Sequence, residues 1–164
     1  MRKGEKGIFI VIGVFAVLSM GYKVISISEQ KGKDPGIPFY SSAPKALRVE
    51  ATNYVRDLNC RDCHVLWSLH NIMESVPAPS LDGIGSLRTE KWLYDYLSSP
   101  DPQSILPSRL KPEYRMPSFA KLPEKKRRVL AQFLSSLKVK DWYLKETKKR
   151  EYEKLTGKKF KPAD

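Results

Sequence analysis

The sequence predicts an all-α protein: a small helical domain preceded by one N-terminal transmembrane helix. Three observations lead there. Apolar residues recur at helical spacing in three separate stretches, 44–58, 88–97 and 123–137. The segments between them are rich in proline, which cannot continue a long helix. No strand–helix–strand pattern surrounds the only two cysteines, Cys60 and Cys63. At 164 residues the chain has room for one domain with extensions. We expect an anchor or signal peptide over 1–28, a linker over 29–43, the domain over 44–138 and a basic C-terminal extension over 139–164.

The N-terminus begins with Arg2, Lys3 and Lys6, followed by fifteen uncharged residues from Ile8 to Tyr22. That run is about 22 Å long as a helix. Past Lys23 the apolar pattern resumes with Val24, Ile25 and Ile27. The twenty residues from Ile8 to Ile27 are expected to span about 30 Å, enough to cross a bilayer. Lys23 would then snorkel to the headgroups, and Tyr22 suits the interface. We expect a retained single-pass anchor in the cytoplasmic membrane, its basic end inside and the following domain on the outer, periplasmic side. The alternative is a signal peptide cleaved near Ser19-Met20-Gly21, which lacks an Ala-x-Ala pattern. Residues 29–43, broken by Pro35, Gly36 and Pro38, read as a linker with little regular structure.

The first domain helix carries Ala46, Val49, Tyr54, Val55 and Leu58. It delivers Cys60-Arg61-Asp62-Cys63-His64, a C-x-x-C-H sequence that reads as the attachment site of a c-type haem. Two thiols three residues apart share one side of a helical turn, where each can bond a vinyl group. His64 then offers a ring nitrogen as the proximal iron ligand. Structural zinc would need four ligands from Cys60, Cys63, His64 and His70 within eleven residues, without the usual second pair. A disulfide between Cys60 and Cys63 would close too small a loop to stabilise the fold. Val65, Leu66 and Trp67 are expected to pack in the core or against the haem edge. His70 is too close in sequence to His64 to reach the opposite iron face.

A loop over 75–85 leads to an amphipathic helix over Arg88–Leu97, with Thr89 as N-cap. Its apolar face is Trp92, Leu93, Tyr96 and Leu97. Prolines 100, 102, 107 and 112 exclude a long helix over 98–115. The last domain helix runs from Pro123, suited to a first turn, to Leu137, with Val129, Leu130, Phe133, Leu134 and Leu137 as its stripe. Of the four methionines, Met1 and Met20 lie in the export segment and Met73 is nine residues from His64. Met116 lies 52 residues downstream in a proline-ordered loop between two helices. Thioether sulfur is a soft ligand for haem iron, so Met116 is the expected sixth ligand.

The order C-x-x-C-H, Ala78-Pro79-Ser80-Leu81, the helix over 88–97, Met116-Pro117-Ser118-Phe119 and the helix ending at Leu137 resembles the bacterial class I monohaem cytochromes c, over about residues 44–138. The resemblance implies an all-α fold whose first and last helices cross beside one covalent haem c. It implies that Cys60 and Cys63 hold the haem and that His64 and Met116 ligate its iron. The Pro79 carbonyl would accept a hydrogen bond from the other ring nitrogen of His64, with Pro77 the weaker candidate. Arg88, Trp92 and Arg109 are candidate propionate partners. Relatives commonly end soon after the last helix, whereas this chain continues for 27 residues.

That tail, Lys138–Asp164, holds ten Lys/Arg and five Asp/Glu, net +5. We expect either a charged helix lying on a partner, docking the protein into a larger assembly, or a solvated end. The net charge of +12 points to anionic partners or a generally solvated basic surface. With no nucleic-acid motif, nucleic acid is discounted.

The expected function is electron transfer by a single His/Met-ligated haem, without acid–base catalytic residues. The protein would be a membrane-tethered carrier between redox partner proteins, or a haem subunit of a respiratory or other membrane oxidoreductase complex. The alternative is a haem-based sensor or peroxidase-like enzyme with a displaceable sixth ligand.

Overall fold

The computed structural model describes residues 11–23, 36–69 and 76–161. The chain divides into two units, Met1–Gly36 and Ile37–Asp164. In the first, residues 11–23 form helix α1, about 20 Å long. Among the described residues no helix is long and apolar enough to cross a membrane. The expected span from Ile8 to Ile27 runs past the described residues at both ends.

The second unit is mostly helical. It contains α2 (Lys45–Asp57), the single turn α3 (Cys60–Cys63), α4 (Glu90–Ser98), α5 (Glu124–Ser136) and α6 (Asp141–Thr156). Two short strands, β1 (Phe39–Ser41) and β2 (Leu137–Val139), pair antiparallel. The 99–115 segment contains only two 3-10 turns, Pro102–Ser104 and Pro112–Tyr114, each opened by a proline at its first position.

Helix α5 is the centre of the core. Val129, Leu130, Phe133 and Leu134 of the expected stripe are all buried on it, whereas Leu137, also buried, lies past its end and opens β2. The four on α5 meet Ala51 and Val55, one turn apart on α2, and Leu93 and Leu97, one turn apart on α4. Each fully buried Leu or Phe contributes about 1.5–3 kcal/mol. Thr89 caps α4 as expected, its hydroxyl accepting the Trp92 N–H at 3.2 Å. The turn Ile84–Ser86 lies so close to α5 that a Cβ at Gly85 would fall on the Ser135 carbonyl.

The compact unit is larger than the expected 44–138 domain. Phe39–Ser41, expected in the linker, pairs with Leu137–Val139 in the register Phe39–Val139, Tyr40–Lys138 and Ser41–Leu137. The ribbon is extended by Ser42 N–H to Ser136 O at 3.0 Å and Lys140 N–H to Pro38 O at 2.8 Å. Strands of three residues are too short to show an alternating pattern, so the sequence did not reveal them.

The C-terminal extension is likewise part of the domain. Helix α6 packs against β2 and buries Thr147. Tyr143 meets Phe39 edge-on, with ring centroids 5.5 Å apart. Helix α6 of the tail thus packs on the chain's own domain rather than being solvated all round.

Candidate functional site

The site begins where α2 stops. Asn59 takes a left-handed conformation (φ 53°), which Asn tolerates better than most residues, and redirects the chain into α3. His64 N–H donates to Cys60 O at 3.0 Å, closing the turn. Cys60, Cys63 and His64 are thereby held within one helical turn and its exit.

The segment after His64 is laced to the segment that carries Pro79. His64 Nδ1 lies 2.7 Å from Pro79 O, so Pro79 rather than Pro77 fixes the ring. Val65 O accepts the Leu81 N–H at 2.9 Å and the Ser80 hydroxyl at 3.3 Å. Asp82, buried, accepts the N–H of Trp67 at 2.6 Å and of Ser68 at 3.0 Å. Trp67 and Ser68 both have positive φ and form a two-residue turn closed by paired hydrogen bonds between Leu66 and Leu69. Leu66 packs in the core as expected, but the turn leaves Trp67 37 % exposed, so Trp67 is not a core residue.

With Nδ1–H donated to Pro79, Nε2 carries the imidazole lone pair. Burial holds the His64 pKa below its ordinary value, partly offset by the Pro79 hydrogen bond. Burial thus favours the neutral ring, the form that can donate to a metal. Burial also pushes the Cys60 thiol up to about 11, with the neighbouring Asp62 and Cys63 adding to the rise.

Cys60, Cys63, His64, Pro79 and Met116 line one cavity of about 340 Å³. Apolar side chains, among them Leu81, Ile84, Leu93, Leu97 and Phe119, form most of its wall. Met116 reaches it from its loop, where Gln103 Nε2 donates to Met116 O at 3.4 Å and Gln103 Oε1 accepts the Ser108 N–H at 3.1 Å. The Ser118 hydroxyl ties the same loop to Ser99 O at 2.7 Å. His70 and Met73 lie outside the described residues. Among the described residues no cluster of three or more His, Cys, Asp or Glu stands together as a metal site.

Arg88, Trp92 and Arg109 also line the cavity, but the two arginines are already engaged. Arg88 pairs with Glu151 at 3.1 Å, donates to Leu87 O at 3.0 Å and sits over the Trp92 ring. Arg109 Nε donates to Lys154 O at 3.3 Å. Glu151, Lys154 and Leu155 of α6 are themselves part of the wall. Sequence reasoning missed them, together with Asp82 and Gln103. A helical stripe at Leu144, Thr147, Glu151 and Leu155 is present in the tail, but two of its four members are polar.

The residues fit a covalently attached haem. Two thiols, a neutral imidazole with one nitrogen fixed on a carbonyl, and a thioether surround one apolar cavity. Cys60 and Cys63 would hold the group, and His64 and Met116 would ligate it.

No protein-family model matches the chain, and no curated protein or solved structure matches it either.

Proposed function

We propose that the chain is a single-haem electron-transfer protein of the class I cytochrome c type. The carrying observation is the 2.7 Å contact between His64 Nδ1 and Pro79 O beside a cavity shared with Met116. A haem there supplies a one-electron iron couple, and a His/Met ligand pair favours a high reduction potential. The protein's own contribution is to keep His64 neutral and oriented, to hold Met116 through the Gln103 and Ser118 contacts, and to exclude water with apolar walls. With His64 and Met116 both ligating the group, electron transfer would be favoured over substrate turnover.

We further propose that residues 1–28 tether the domain to the outer face of the cytoplasmic membrane. There it would serve redox partner proteins or form part of a membrane oxidoreductase complex. The uncharged Ile8–Tyr22 run and its basic flank support this.

The test is the mass of the purified, denatured chain together with a redox titration of the detergent-solubilised protein. The reading expects the added mass of one haem, lost when Cys60 and Cys63 are both changed to Ala. A chain weighing only its amino acids would refute it.

A further inference from the structure

Helix α6 lies beyond the part of the chain that resembles a cytochrome, yet it supplies Glu151, Lys154 and Leu155 to the cavity wall. Its placement is held at several points. Thr147 is buried and Gly83 approaches it closely, since a Cβ there would sit 3.5 Å from the Thr147 methyl. Beyond the helix, Gly157 lies against the Arg109 side chain. Arg109 also donates to Lys154 O at 3.3 Å.

The Glu151 side chain is 15 % exposed and that of Arg88 23 %. Of the pairs formed among the described residues, the rest join side chains at least 36 % exposed. A pair at such depth is screened weakly and acts on its surroundings far more than a surface pair does. Glu151 thus brings a weakly screened negative charge, held by Arg88, to the cavity that the proposed function assigns to the haem.

We propose that α6 is a built-in wall of the cofactor cavity and that Glu151 is a potential-setting residue, its carboxylate stabilising the oxidised iron and holding Arg88 in place. The proposal rests on the haem reading above. A negative charge on the cavity wall would favour the more positive, oxidised state of an iron bound within, so its removal should raise the reduction potential. The charges surrounding it on the wall are Arg88, Arg109 and Lys154.

The experiment compares midpoint potentials of the full-length haem-loaded protein as wild type, Glu151→Gln and Glu151→Asp, with the visible spectrum and urea stability of each. The expected result is an upward shift for Glu151→Gln with the spectrum of axial ligation unchanged, and a return toward wild type for Glu151→Asp, which keeps the charge. An unchanged potential in Glu151→Gln overturns the proposal. So do equal shifts in both variants that follow their loss of stability, because those report packing rather than charge. If Glu151→Gln does not accumulate, Glu151→Ala decides by the same readout: an upward shift with the spectrum unchanged supports the charge role, and an unmoved potential overturns it. A wild-type chain without covalent haem overturns the function itself, whereas haem with an unmoved potential overturns only this inference.

Discussion

The carboxylate of Asp82 closes a turn that precedes it in the chain: Oδ1 accepts the backbone N–H of Trp67, fifteen residues earlier, at 2.6 Å, and Oδ2 accepts that of Ser68, fourteen residues earlier, at 3.0 Å. Both turn residues are left-handed, at φ 55° and 58°, and neither is glycine. Each such residue costs about 1–2 kcal/mol. Asp82 offsets that cost by satisfying both amides, and it secures the strand of chain that brings Pro79 to His64. Asp82→Ala should therefore lower stability by about 2–5 kcal/mol, since two amides lose their acceptor. Ser68→Gly should raise it by up to about 1 kcal/mol. Urea unfolding of the haem-loaded chain measures both; an Asp82→Ala chain as stable as wild type would contradict the assignment.

Gly85 is required for contact between the 84–86 turn and α5. Gly85→Ala would place a methyl group on the Ser135 carbonyl, and backbone cannot yield as a side-chain end does. A loss of at least about 1–3 kcal/mol is expected, the ordinary cost of overpacking. Because Lys138 Nζ also donates to Gly85 O at 2.6 Å, α6 and β2 should loosen first. Faster hydrogen exchange over 137–156 than over α2 would show this.

On the proposed haem reading, Met116→Ala should leave the group covalently attached, because Cys60 and Cys63 are untouched. It should lower the reduction potential and allow the reduced protein to bind carbon monoxide, since the thioether no longer holds the sixth position. An unaltered spectrum would remove Met116 from the ligand set and reopen the sensor or peroxidase alternative.

Glu151 gives a pH dependence with a definite sign. Burial raises its pKa above the ordinary 4.5, and the Arg88 charge and hydrogen bond only partly reverse this. The folded chain thus holds the proton more tightly than the unfolded one. Its contribution to stability is complete below the unfolded pKa and is lost as the pH climbs through the raised folded value. Wild type should therefore lose stability relative to Glu151→Gln as the pH rises from about 4.5. Urea midpoints of the two chains across that range test it; a difference independent of pH would count against a shifted Glu151.

The amino-acid sequence determined the helices and the chemical inventory of the site. Helical spacing marked α2, α4 and α5, because each must bury one face against the others and repeats its apolar residues every turn. The C-x-x-C-H pentapeptide, Pro79 and Met116 stood out because the proposed attachment and ligation would demand particular side chains in a particular order, and the fold brings them to one cavity. Tertiary structure alone decided what lies around them. The β1–β2 ribbon joins residues nearly a hundred positions apart over only three residues each, too few to leave a pattern. Asp82 carries no local signal, since its partners are backbone amides of a turn before it in the chain. In the sequence α6 reads as a charged helix for a partner or as a solvated end, because its inner face includes Glu151, whose burial is offset by its pairing with Arg88. Long-range pairing of polar groups is set by where the chain folds back, and a one-dimensional pattern does not record it.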